Sequence, residues 1–101
     1  MNDYRVKKPS EIDVQFMKEY LNIEVEFIEY DELIGSLIAM SIDYVSKYTQ
    51  KSIEELDEFI YISLAILKII SDSYMNKGFV ITKEHDKMLN SYLSLIGDFN
   101  L

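Results

Sequence analysis

The chain holds one histidine, His85, set between Glu84 and Asp86 in "TKEHDKM". An imidazole beside carboxylates is the usual equipment of a general base or a metal ligand. The rest of the chain completes neither role. There is no second histidine and no cysteine, so the nitrogen and thiolate sets that hold zinc cannot form. No GxxxxGK[ST], GxGxxG or GxSxG occurs anywhere, which leaves no phosphate-cradling loop or nucleophile turn of those kinds. Eight tyrosines and five phenylalanines are present, but basic residues are not interleaved with them as a base-stacking platform requires. The five methionines read as core filler rather than a redox device. The sequence therefore predicts a non-enzyme with no catalytic residue, no metal and no cofactor.

Carboxylate is what the chain has in excess. The net charge is −8 at pH 7, and all of it falls in residues 24–58, while the remainder is balanced. Two groups stand out there: Glu24, Glu26 and Glu29, then Glu54, Glu55, Asp57 and Glu58. A protein that grips phosphates needs the opposite sign. These acids form either a solvated face that aids solubility or a surface that repels DNA or meets a basic partner. The 101 residues make one domain's worth of chain. The N-terminus has no hydrophobic core segment of a signal peptide. The longest apolar stretch, Phe59 to Ile70, is about twelve residues against the roughly 18 needed for a span. A soluble product made in a reducing cytoplasm, with no membrane contact, is expected.

The elements that position these residues are helical. Pro9 is the only proline and there are three glycines, the punctuation of helices joined by short connectors. Residues 1–9, with Arg5, Lys7 and Lys8, read as a flexible basic arm. Residues 10–97 read as one helical domain, and 98–101 as a loose tail. The first helix is expected over Glu11–Asn22, with Ser10 as N-cap. The second runs from Asp31, whose carboxylate can cap it, to Gln50. The third opens at the capping box Ser52/Glu55 and reaches Asn76, with Gly78 as C-cap. Unbroken, it is about 35 Å long and occupies the centre. The fourth follows Thr82 as N-cap and stops at Gly97. "IEVEFIEY" (Ile23 to Tyr30) reads as an extended connector with Val25, Phe27 or Ile28 tucked onto the core. Residues 79–81 are β-prone and could make a brief strand contact. The fold class is thus all-α, a compact bundle of about four helices.

Two of these helices are too apolar for a surface position. On the second, Ile34, Ile38, Ser41, Val45 and Tyr48 form the core stripe. Leu33, Met40 and Tyr44 widen it on one flank, and Gly35, Ala39 and Ile42 on the other. The apolar arc reaches roughly 200°, where a surface helix needs about 100°. The third helix is broader still. One small chain can wrap a single central helix more easily than two, so the surplus points to burial between subunits. The candidate interface is therefore Leu33, Gly35, Ala39, Met40, Ile42 and Tyr44. Gly35 costs roughly 1 kcal/mol in a helix, which suggests a close helix approach.

The order of these pieces resembles the head–tail connector family of tailed bacteriophages, also called adaptor or head-completion proteins. The residues that carry the likeness are Lys18, Tyr20, Leu21 and Ile23; an acidic link; Asp31, Leu33, Ile34, Leu37 and Ile38; Tyr44, Val45, Tyr48 and Thr49; and Ala65, Tyr74, Asn76 and Lys77. They span about residues 10–96. Gln50 stands where that family commonly has glycine. Phe59 and Ile60 stand where a proline is often found, which suggests an earlier, straighter third helix. Lys77 replaces arginine, keeping the charge but not the fork.

The resemblance implies a structural virion protein of a phage or prophage, without catalytic residues. It implies a homo-oligomeric ring of about a dozen copies. Such a ring docks on the portal protein after DNA packaging, contacts a neighbouring head-completion or stopper protein, and lets DNA pass without specific binding. Its place would be the virion neck, reached from the host cytoplasm during assembly. Glu24, Glu26, Glu29, Glu54, Glu55, Asp57 and Glu58 would then face the channel or a partner. The alternative from composition alone is a small acidic DNA mimic, an inhibitor or immunity-type protein that blocks a basic site on an enzyme.

Overall fold

The computed structural model describes residues 7–95. Arg5 of the basic arm, the expected stop at Gly97 and the tail 98–101 lie outside the described residues. A 3-10 turn, Pro9–Glu11, leads into α1 (Val14–Tyr20), α2 (Asp31–Thr49), α3 (Ile53–Leu56), α4 (Ile60–Asn76) and α5 (Lys83–Leu95). The fold is all-α, and no strand occurs among the described residues. No helix there is long and apolar enough to cross a membrane.

α4 is the centre. Ile62, Ala65, Ile66, Ile69 and Ile70 are at most 1% exposed, and the helix packs on α2, α5 and the 3-10 turn. Its partners contribute Ile34, Leu37 and Val45 from α2 and Leu89 from α5; Met17 of α1 joins the same core. Small buried side chains, Ser41 on α2 and Ser63, Ala65 and Ser73 on α4, let backbones approach closely. The Tyr30 and Tyr74 rings meet edge to face at 6.1 Å. The start of α2 therefore lies beside the end of α4, and the two helices are antiparallel.

Several boundaries differ from the sequence expectation, each for a local reason. The first helix starts at Val14, not Glu11. Asp13 is its cap, accepting from the Phe16 N–H at 2.8 Å. Ser10 instead gives both its N–H (3.0 Å) and its hydroxyl (2.6 Å) to Asp57, far along the chain. Asp31 does not cap α2. It occupies the first turn and pairs with Lys18 at 3.0 Å. The expected long third helix is broken. Backbone bonds Glu58 N–H to Glu55 O and Phe59 N–H to Leu56 O close a turn, and Phe59 is extended (φ −124°, ψ 101°). No proline is needed, because Asp57 is held by Ser10, Leu56 is fully buried and the Phe59 ring lies under Lys51. The segment 79–81 forms no strand. The Ser73 hydroxyl accepts from the Val80 N–H (3.0 Å) and donates to its carbonyl (3.3 Å).

Three helices end alike. Asn22, Gln50 and Lys77 take φ near +60°, and the next residue's N–H reaches back five: Ile23 to Lys18, Lys51 to Ser46 and Gly78 to Ser73. This is the Schellman closure, normally built with glycine. At α4 the left-handed residue is Lys77, not the expected Gly78. At α2 Gln50 adopts the conformation a glycine would take. Val25, Phe27 and Ile28 are not tucked in: they are 63%, 43% and 69% exposed.

Candidate functional site

The residues that carry the family likeness turn out to hold the fold. Lys18 is 4% exposed. Its ammonium donates to the Val25 carbonyl at 2.9 Å and pairs with Asp31 at 3.0 Å. It thereby clamps both ends of the acidic connector, so that the loop projects from a fixed base. Tyr44 and Tyr48, one turn apart on α2, donate to Asp86 (2.7 Å) and Asn90 (2.6 Å), one turn apart on α5. Burial first, then the hydrogen bond and charge of Asp86, push the Tyr44 phenol up to about 12. Tyr48 is raised for the same leading reason. Thr49 donates to the Val45 carbonyl and stays within the helix. The Lys77 ammonium sits over the Tyr30 and Tyr74 rings, 4.8 and 4.2 Å from their centroids, a cation–π clasp across the ends of α2 and α4.

His85 is also structural. Its N–H donates to Thr82 Oγ1 (3.2 Å), and its Nδ1 accepts from the Thr82 N–H (3.0 Å). That is a capping box with imidazole in place of glutamate. With Nδ1 an acceptor, Nε2 carries the proton and donates to Asp72 at 2.7 Å. Burial alone would raise the Asp72 carboxyl. The His85 hydrogen bond and Lys68 outweigh it and hold the group below the usual carboxylate range. No cluster of three or more His, Cys, Asp or Glu among the described residues could hold a metal ion.

The acids are not one surface. Glu24, Glu26 and Glu29 ride the exposed connector before α2, while Glu54, Glu55, Asp57 and Glu58 surround α3 after it. The 19 residues of α2 separate the two attachment points by about 28 Å. Glu55 closes the capping box with Ser52, and Asp57 is taken by Ser10. The side chains of Glu24, Glu26, Glu29, Glu54 and Glu58 have no partner among the described residues.

The six candidate interface residues on α2 are divided as well. Leu33 and Ile42 are partly buried against the core. A Cβ on Gly35 would sit 3.7 Å from Val14 Cγ2, so the helix that approaches it is α1 of the same chain. Ala39 and Met40 are exposed. Met40 and Tyr44 join Asp43, Lys47, Tyr48 and Phe79 in lining an open groove of about 420 Å³.

Sequence reasoning missed two surfaces, this groove and the exposed connector tip; of the third helix's apolar excess, Ile60, Tyr61 and Leu64 are the part left on the outside of α4. The alternation in "EVEFIE" marks a two-sided segment but does not say which side faces out. Phe79 reaches Tyr44 from a distant part of the chain, and no local pattern announces that contact.

A search of curated proteins and a search of solved structures each found no match. The profile of the phage gp6-like head–tail connector proteins matches residues 11–95. That span takes in every helix from α1 to α5, together with the clamped connector, the tyrosine pair and the Lys77 clasp. The chain belongs to the phage gp6-like head–tail connector protein family.

Proposed function

We infer that this structural phage protein works as one subunit of a ring of about a dozen copies that seats on the portal and extends the DNA channel toward the tail. The observation that carries the reading is unpartnered apolar surface on two different helices. Ala39 and Met40 are exposed on α2, and Ile60 and Leu64 on α4, beside Tyr61, whose ring stacks on Tyr92. A cyclic ring joins one surface of each subunit to a different surface of the next, and separate patches suit that geometry. The unpaired acids around α3, Glu54 and Glu58, support a channel role, because carboxylates repel DNA phosphates and let the duplex slide. Nothing in the arrangement favours the inhibitor reading, since the acids fall into two separated groups and two of them are engaged within the chain.

A subunit carrying −8 repels its own copies. Assembly is therefore expected to wait for the portal, and the free chain should sediment as a monomer at physiological salt. Stable rings formed without portal would contradict that part of the reading. The docking itself is tested by sedimenting purified portal rings with the chain. Saturable co-migration is expected, and no co-migration at any ratio would sink the proposal.

A further inference from the structure

Two surfaces of this molecule are each apolar at the centre and flanked by charge of opposite sign. One is the connector tip, where Phe27 and Ile28 stand exposed between Glu26 and Glu29. The tip is held out on a rigid base, because Lys18 fixes Val25 and Asp31. The other is the groove on α2, an aromatic floor of Tyr44, Tyr48 and Phe79 beside Met40. Asp43 and Lys47 also line that groove and pair with each other. Lys83 and Lys87 flank Asp86, the residue that Tyr44 bonds, on one face of α5. Both of these lysines are exposed and have no partner among the described residues. The tip thus offers apolar side chains ringed by unpaired carboxylates. The groove offers an apolar floor, an Asp43–Lys47 ion pair in its lining and, on the adjoining face of α5, two unpaired ammonium groups.

We propose that the connector tip of one copy inserts Phe27 and Ile28 into the α2 groove of the next copy, with Glu26 and Glu29 meeting the lysines beside it. The tip precedes α2 and the groove lies on its second half, so the two surfaces are distinct on each chain. Every copy gives its tip to one neighbour and its groove to the other. This is a heterologous contact, which closes into a ring when the rotation allows. The occupant is a second copy, because the unpaired Lys83 and Lys87 that flank the groove are opposite in charge to the tip. The contact also brings opposite charges together between subunits that otherwise repel. It deepens the ring reading and rests on it.

The absence of cysteine from the chain gives a clean test. Ile28→Cys and Met40→Cys both alter exposed side chains, so the double variant should fold as the parent does. It is loaded on portal particles, oxidised and run without reductant, and ring density is checked by electron microscopy of the same sample. A ladder of covalent multimers is expected from the double variant, with neither single variant giving more than a dimer. Ring density without a ladder overturns the tip-in-groove contact and leaves the ring standing. No ring density with the wild-type chain overturns both.

A second variant guards against a cysteine pair that blocks assembly. Phe27→Ala with Ile28→Ala should raise the concentration needed for ring formation at least about tenfold. Reversal of Glu26 and Glu29 to Lys should weaken assembly, and Lys83→Glu with Lys87→Glu should restore it. Unchanged assembly by these variants would show that the tip packs elsewhere.

Discussion

At the scale of residues, the molecule is held by a few polar groups in unusual places. Lys18 is a buried cation whose two partners are the ends of a loop. Lys18→Met removes the ammonium but leaves the Val25 carbonyl without its donor. It should cost about 1–3 kcal/mol and speed amide exchange across 22–30, while a loss confined to noise in urea unfolding would show the clamp is idle. Gln50 is left-handed without being glycine, a conformation that costs side-chain-bearing residues roughly 1–2 kcal/mol. Gln50→Gly should therefore stabilise by up to about 1 kcal/mol, read as a higher unfolding midpoint. Two titrations set the pH limits. The Tyr44 phenol is raised, so its contribution is complete below the ordinary tyrosine value near 10 and is lost as pH climbs toward about 12. The Asp72 carboxyl is depressed, so its contribution is complete above the ordinary carboxylate value and is lost as pH falls below it. Neither group should change stability between about pH 5 and 9, and Tyr44→Phe should reduce the alkaline loss in a stability–pH profile, leaving the part that comes from the raised Tyr48 phenol.

At the scale of elements, the break between α3 and α4 is the informative feature. It falls where the family often carries proline, yet here the residues are Phe59 and Ile60. Phe59 is extended and Ile60 opens α4, which are the conformations preferred before and at a proline in the first helical position. Ile60→Pro should accordingly be neutral or stabilising by up to about 1 kcal/mol. In an unbroken helix the same change would cost about 3 kcal/mol, so one thermal melt distinguishes the two. Helix α2 was legible in the sequence because its apolar period is long and its end is marked by the turn at Gln50 and Lys51. The start of α1 was not, because Ser10 and Asp13 are both good caps and a distant residue, Asp57, decides between them. The broken third helix contains no Gly or Pro to mark it, and the turn is held by packing and by Ser10. The candidate surface was legible in part: Met40 and Tyr44 were picked out by helical period, whereas Phe79 and the outward connector tip depend on how whole elements cross. The Gly35 flank reads in sequence as room for a neighbouring helix, and that room belongs to α1 of the same chain.

At the scale of the whole molecule, a well-filled core carries a surface that is both acidic and locally apolar. α4 is buried by its own chain, while Ile60, Tyr61 and Leu64 at its outer edge, Met40 on α2 and the connector tip remain uncovered. Exposed apolar area of this kind marks surfaces that associate, and the proposed ring would cover the tip and the groove. Because the subunits are like-charged, ring growth on the portal should strengthen as salt rises from low to physiological levels and screens the −8 of each copy. A loss of portal binding over the same range would instead mark the portal contact as the electrostatic one. The most direct measurement is cryo-electron microscopy of portal particles mixed with the chain. The account predicts an added ring of helical subunits coaxial with the portal, with an open acidic channel, and a portal that looks the same with and without the protein would contradict it.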